Sequence, residues 1–450
     1  MSKIKRIKGW QVAVAIVLLI AIIALLIAIA NIIAFNSLLN YINTFDSVDY
    51  SGTERVIPVM DKETGYYTFT TDKDFKVMVL TDIHLGGGSW NAKKDKKAVY
   101  EVMTMLQNEK PDFVILDGDN VFAVPGPIYN GGGTLNNKMA SKGVLEMFEK
   151  AGVYFSVVFG NHDTEVFDYT PRDKLGELYM SSEYKYCIFN QDFTDSDHKM
   201  PSITNQFIVV RNGEGKISKL LMLMDSNAYV DNSLAAVLNW DYDTIHDAQV
   251  LWAKDVIETL SKKEGLNDGE YLKTLAFFHI PIGEYETAYR ELYANNFEDT
   301  ENSKYLYGVW GEEPSEEEET DPNKEHGRIW YGGITKDCLP EDADILFETL
   351  GPDGINSIEG CFVGHDHVNN AVVNYKGVNL SYGYSVDNIA YTDIHLSGTQ
   401  RGCTVITISP DGKWTQEHKN AYKDLGVDKD KFVNVYLDRY YYENTVPKIK

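Results

Sequence analysis

Val153-Tyr154-Phe155-Ser156-Val157-Val158-Phe159-Gly160-Asn161-His162-Asp163 holds the sharpest change of character in the chain. A run rich in β-branched and aromatic residues, of buried-strand length, stops at a glycine. An amide, an imidazole and a carboxylate then follow in a row. Ligand and acid–base residues at the carboxyl end of a buried strand are how an open α/β sheet presents chemistry.

The same device recurs four times. A strand predicted over 75–80 leads into Asp82-Ile83-His84, and one ending at 116 into Gly118-Asp119-Asn120. The run 275–278 leads into His279-Ile280-Pro281, and 361–363 into Gly364-His365-Asp366-His367. Of the chain's ten histidines, five fall in these motifs. Singly, each has a bland explanation: a satisfied core histidine, a turn aspartate, or two residues on one side of a continuing strand. Five such ends in one chain do not arise by chance.

Histidines, carboxylates and one amide, without a Cys-x-x-Cys pair, suit borderline divalent ions such as Zn, Mn or Fe. Asp82, His84, Asp119, Asn161, His279, His365 and His367 make seven ligands, more than one ion needs. They suit two ions sharing a carboxylate. Two ions about 3.5–4 Å apart clamp a phosphate and bring a water held between them toward a neutral pKa. His162 is then left beside a ligand, placed to give a proton to the leaving oxygen.

Around these ends, helices are predicted over 94–109, 138–150 and 244–263, and strands over 112–116 and 219–224. From 371 to 418 the pattern changes to hairpins, turning at Lys376-Gly377 and Asp411-Gly412. Alternating βα units followed by hairpins predict mixed sheets covered by helices.

The series D-x-H, G-D-N, G-N-H-D, H and G-H-D-H resembles the calcineurin-like metallophosphoesterase superfamily, over roughly 76–417. The resemblance implies an α/β fold: a four-layer α/β/β/α sandwich of two mixed β-sheets flanked by helices. It implies one metal on Asp82, His84 and His367, another on Asn161, His279 and His365, and Asp119 between them. It also implies His162 as the catalytic acid, acting with water activated between the ions. Phe277 to Pro281 and Gly364 to Asn369 are similar to the purple-acid-phosphatase-like branch, as are 249–252 and the stretch from Tyr382 through Arg401. The purple enzymes have an iron-ligating tyrosine three residues after the bridging aspartate. Here that residue is Phe122, so no tyrosinate–iron colour is expected and the metal identity stays open. Val121-Phe122-Ala123 also replaces the Asp and Arg that continue this motif in serine/threonine phosphatases.

Further candidates are Asn120, for holding phosphate, and Asp163, either orienting His162 or capping a turn. Asp366 is a candidate for supporting the ligands on either side of it. Asp225 reads as structural.

The amino terminus adds a membrane segment. Residues 12–30 are nineteen consecutive apolar residues, about 28 Å of helix against a hydrocarbon core of about 30 Å. Lys3, Lys5, Arg6 and Lys8 precede them, so the positive-inside rule leaves the terminus in the cytoplasm and exports the rest. Cleavage near Ala30, releasing a secreted protein, is the alternative. The expected organisation is a basic tail (1–9), a transmembrane helix (10–35), a stalk (36–72), the phosphoesterase domain (73–420, with an acidic insertion at 311–326) and an extension (421–450).

Net charge is −25, and the first 35 residues carry four positive charges and no acid, so the remainder carries −29. That field repels nucleic-acid backbones and argues against a polymeric substrate. Hydrophobic residues at 44% are enough for a large core. The expected function is an exported, membrane-tethered hydrolase of small phosphomonoesters, with no obligate protein partner. A phosphodiesterase or pyrophosphohydrolase acting on nucleotides or lipid-linked phosphates is the alternative. A non-catalytic metal-binding surface protein is the third.

Overall fold

Strands buried on both faces read as unbroken apolar runs, and two sheets built of such strands form the centre of this protein. The computed structural model describes residues 8–52, 55–124, 134–191, 202–231, 233–308, 340, 344–367, 369–390, 401–428 and 431. The strands are β1 (Val59–Met60), β2 (Tyr67–Thr70), β3 (Phe75–Leu80), β4 (Phe113–Asp117), β5 (Phe155–Val158), β6 (Gln206–Arg211), β7 (Ile217–Leu223), β8 (Thr274–Phe277), β9 (Ser303–Tyr307), β10 (Ile358–Val363), β11 (Val372–Tyr375), β12 (Val378–Tyr382), β13 (Gly402–Ile408) and β14 (Trp414–Asn420). The helices are α1 (Gly9–Ile42), α2 (Ala92–Glu109), α3 (Asn137–Ala151), α4 (Arg172–Tyr179), α5 (Leu234–Asn239), α6 (Asp247–Lys263), α7 (Gly283–Ala294) and α8 (Leu346–Leu350).

A nine-stranded sheet runs β1-β2-β6-β7-β8-β10-β12-β11-β9, and a five-stranded sheet runs β14-β13-β3-β4-β5. In the first, β7, β8, β10 and β12 are parallel. In the second, β3, β4 and β5 are parallel and β13 antiparallel. Both sheets are therefore mixed. Alternation along each strand assigns the layers. Val77, Val79, Phe113 and Ile115 face Leu221, Leu223, Leu275 and Phe277 between the sheets. Met78, Leu80, Val114 and Leu116 turn outward onto α2 and α3. Leu220, Met222, Ala276 and Phe278 turn the other way, onto α6 and α7. This is the expected α/β/β/α sandwich, and α1 provides the apolar N-terminal helix.

Two expected segments fold differently. Residues 36–72 are not a free stalk. α1 runs through to Ile42 and buries Leu38 and Ile42 in the core under α2 and α3, while β1 and β2 extend the nine-stranded sheet through β6. Only one helix face is buried there, so the composition reads as mixed. Nor does the domain stop at 420: Ala421, Leu425 and Val427 are buried in the same core. The acidic run 312–325, Gly131-Gly132-Gly133 and Cys338 lie outside the described residues. Cys187, Cys361 and Cys403 are buried and form no disulfide among the described residues.

Candidate metal centre

The loops leaving β3 and β4 are stitched together. Asp82 N–H donates to Gly118 O (3.0 Å), His84 N–H to Asp119 O (3.0 Å) and Leu85 N–H to Asn120 O (3.1 Å). Asp82 and His84 do not lie on a continuing strand. Both turn into the left-handed region at φ 54°, and Asp119 and His365 do so at 49° and 69°. Left-handed backbone costs an L-residue roughly 1–2 kcal/mol, so each of these four positions carries strain that the surrounding loops hold.

The turns converge on one carboxylate. Asp119 Oδ2 lies 3.3 Å from His84 Nε2 and 3.0 Å from His279 Nε2. Its Oδ1 accepts the His162 backbone N–H at 2.8 Å, leaving Oδ2 to face both imidazoles. Asp82 Oδ1 lies 3.0 Å from His367 Nε2. His365 Nδ1 lies 3.0 Å from Asn161 Oδ1. Asp82, His84, Asp119 and His367 form one group whose ligating atoms lie within 4.8 Å of one another, and Asp119, His279 and His365 form a second. All six are buried, as is Asn161. His365 Nε2 is buried without a hydrogen-bond partner among the described residues. Two groups sharing one carboxylate oxygen, all nitrogen and oxygen donors, fit a binuclear centre of borderline divalent ions.

Burial and the neighbouring charges shift the imidazoles in opposite directions. Burial pulls His279 down, but Asp119 beside it lifts it to about 9. Burial also opposes charge on His84, and Asp387 lifts it to about 9. His365 is pushed down to about 3 by burial and by His279.

The backs of the imidazoles are held too. Asp387 Oδ1 is 3.1 Å from His84 Nδ1, its Oδ2 is 3.3 Å from His367 Nδ1, and Asp117 O is 2.9 Å from His279 Nδ1. Such contacts fix ring orientation and raise ligand basicity. The sequence reading missed Asp387. Its one signal is position, shortly after apolar β12, where Val386 N–H bonds Thr81 O. Asp366, expected in that supporting role, instead accepts from Asn369 Nδ2.

His162 is the partly exposed member at the edge of this cluster, its side chain 13% exposed. Nδ1 is 2.5 Å from Glu165 Oε1, and its ring meets Phe122 edge-on at 4.8 Å. Glu165, not Asp163, is therefore the carboxylate on this imidazole. Asp163 accepts from Gly160 N–H (2.8 Å), Asn120 N–H (3.1 Å) and Val121 N–H (3.2 Å), pinning the two loops together. Asn120 does not offer its amide to a phosphate: both Nδ2 hydrogens go to Val158 O (3.0 Å) and Asp163 Oδ2 (3.3 Å). Asp225, read from the sequence as structural, lies in a salt bridge. It pairs with Arg172, whose Nη1 donates to Gly160 O and Thr164 Oγ1, both at 3.0 Å. Phe122 stacks on His84 at 5.1 Å and 19°. On the other side, Tyr242 meets His365 edge-on at 4.4 Å, and Tyr229 OH lies 3.4 Å from Asn161 Nδ2.

A two-sheet sandwich with paired Asp/His clusters at its strand ends defines the class as a metallophosphoesterase fold. Residues 75–369 match the calcineurin-like phosphoesterase family, and the chain belongs to that family. It is 24% identical over 345 residues to probable inactive purple acid phosphatase 28 of Arabidopsis thaliana, covering 72% of this chain and 73% of that one. Probable inactive purple acid phosphatase 29 of the same plant is 22% identical, over 77% of this chain and 80% of its own. A crystal structure of a dimetal phosphatase from Danio rerio aligns with 78% of this chain and 97% of its own, at 11% identity and a TM-score of 0.44.

Proposed function

We propose that the protein is a membrane-tethered, two-metal phosphoesterase that hydrolyses phosphomonoesters, with His162 as general acid. The observation that carries this is the shared oxygen: Asp119 Oδ2 faces both ligand groups, while Oδ1 of the same carboxylate holds the backbone of His162. The acid is thus positioned by the residue that joins the two ion sites.

When bound, the ions supply Lewis-acid polarisation of phosphoryl oxygens and a water acidic enough to attack near neutral pH. Asp82, His84, His367 and Asp119 would hold one, and Asp119, Asn161, His279 and His365 the other. His162, oriented by Glu165, gives its proton to the leaving oxygen. Tyr229 and Tyr242 wall the His365 side. The Arabidopsis relatives are named inactive. What favours catalysis here over a silent metal-binding role is that all seven ligands and His162 are present and convergent.

The tether is α1. Its most apolar window has a mean hydropathy of 3.5, and none of that window is buried against the protein. Four basic residues precede it, which favours a cytoplasmic amino terminus and an exported domain.

The test uses the full chain in detergent with added Mn, on p-nitrophenyl phosphate and bis-p-nitrophenyl phosphate. Faster monoester turnover, lost on chelation, supports the reading. Preference for the diester replaces it with a phosphodiesterase. No turnover of either with two ions bound overturns it.

A further inference from the structure

α1 does more than tether. It leaves the apolar run at Asn31, whose Oδ1 accepts from both N–H and Oγ–H of Ser89, each at 3.0 Å. From there it runs parallel to α2. Ser37 Oγ accepts from Lys96 Nζ at 2.8 Å, and Asp46 O from Gln107 Nε2 at 3.0 Å. Beyond the helix, Val48 N–H reaches Ala151 O at the far end of α3 (2.9 Å). Now α2 begins just past the carboxyl end of β3 and returns to the start of β4, so its amino terminus lies at the strand ends that carry the ligands. The apolar part of α1 continues beyond that same end. The catalytic end of the sandwich is therefore the end nearest the membrane.

The distances agree. Five residues separate His84 from Ser89, at most about 18 Å of chain, and Ser89 touches the residue that ends the apolar run. Surface chemistry at this end points the same way. Trp90, next to Ser89, is 81% exposed, and exposed tryptophans concentrate at membrane–water interfaces. Val166 and Tyr169 are exposed on the His162 loop, and Leu234 and Leu238 on α5, near Tyr229 and Tyr242. In a strongly acidic domain, the first turns of α2 and α3 carry exposed Lys93 and Lys138, suited to anionic headgroups.

We propose that the site acts on phosphate esters carried in the headgroup layer of the membrane α1 crosses, a substrate class that rests on the phosphoesterase function above. In the reaction a water oxygen bonds to phosphorus and the bond from phosphorus to the lipid oxygen breaks. One water proton replaces the one His162 gives that oxygen, and the products are a lipid alcohol and phosphate.

The test compares two esters with the same headgroup, using the full chain reconstituted in phosphatidylcholine vesicles with Mn. One is long-chain phosphatidic acid in the bilayer, and the other is water-soluble dihexanoyl phosphatidic acid. A ten-residue Gly/Ser insertion between Ala30 and Asn31 keeps the span and the docked segment but releases their fixed orientation. The expected result is at least tenfold higher kcat/KM on the bilayer ester, lost in the insertion variant while soluble-ester turnover is kept. Soluble-ester turnover without a bilayer preference overturns this inference and leaves the phosphoesterase reading standing. Silence on both esters with metal bound overturns both. Independently of activity, a nitroxide on Trp90→Cys, in a Cys338→Ser background, should report headgroup depth in vesicles. Bulk-water accessibility there overturns the proposed orientation.

Discussion

Nδ1 of His162 lies 2.5 Å from Oε1 of Glu165, three residues further along the same loop. Glu165 is buried and its backbone N–H donates to Asp168 Oδ2 at 2.9 Å, so the backbone that carries the carboxylate is itself held. This pair fixes which face of the imidazole is turned away from the substrate. In the proposed reaction it leaves Nε2 as the atom to meet the leaving oxygen. His162→Ala is expected to lower kcat about 10²–10⁴-fold while keeping both metals. Glu165→Gln is expected to lower kcat by up to about 10²-fold through misplacement alone. Steady-state kinetics with metal analysis on the same samples checks both. Loss of metal in either variant would show that the loop builds the metal site instead of serving it.

Asp387 makes the corresponding contact behind the metal ligands. Burial alone would raise its pKa, yet His84 and His367 hold it well below the carboxylate range. Asp387→Asn keeps the shape and removes the charge. The expected outcome is a roughly 10–100-fold loss of metal affinity with an unchanged circular dichroism spectrum. Competition titration against a chelating dye measures it. An Asp366→Asn control, whose side chain bonds Asn369 instead, is expected to change affinity far less.

What could be read from the sequence follows from what each residue's job depends on. Strands buried on both faces leave apolar runs, and the ligand motifs sit where those runs stop, so the ends of β3, β4, β5, β8 and β10 were visible. The hairpin of β11 and β12 was marked by Lys376-Gly377, and that of β13 and β14 by Asp411-Gly412. Asp387 was not visible, because its role depends on two imidazoles brought beside it from residues 84 and 367. Nor were the left-handed turns at Asp82, His84, Asp119 and His365, which use residues that carry no glycine signal. The docked end of α1 was hidden because only one of its faces is buried.

The ion-free site makes metal binding pH-dependent. His84 and His279 are each lifted from 6.5 to about 9. In the ion-free protein their contribution to stability is fully present below about pH 6.5 and is lost as pH rises through 9. Ions need neutral imidazoles, so affinity runs the opposite way and falls as pH drops below 9. Each displaced proton changes affinity about tenfold per pH unit. Between pH 8.5 and 6.5 the dissociation constant is expected to weaken by about 10²-fold or more. Calorimetric titration in two buffers of different protonation enthalpy counts the protons released. An apparent enthalpy independent of buffer would show that the histidines are neutral before the ions arrive.

Gly160 shows how closely backbone and ligands are packed. A Cβ built there would lie 2.2 Å from Asp119 Oδ1 and 2.6 Å from His279 Cδ2. Neither neighbour can yield freely. Asp119 Oδ1 accepts the His162 N–H, and the other nitrogen of the His279 ring, Nδ1, is tied to Asp117 O. Room for one methyl group would have to come from moving the shared carboxylate or the His279 imidazole, and both belong to the ligand group of Asp119, His279 and His365. The other group shares Asp119, but its remaining members, Asp82, His84 and His367, are not among the nearest neighbours of that Cβ. Gly160→Ala is therefore expected to weaken both ions, the one at His279 and His365 more, by at least about tenfold, with turnover falling at limiting metal and partly recovering in excess. Metal stoichiometry by mass spectrometry across a titration distinguishes this from simple misfolding, which would remove both ions together.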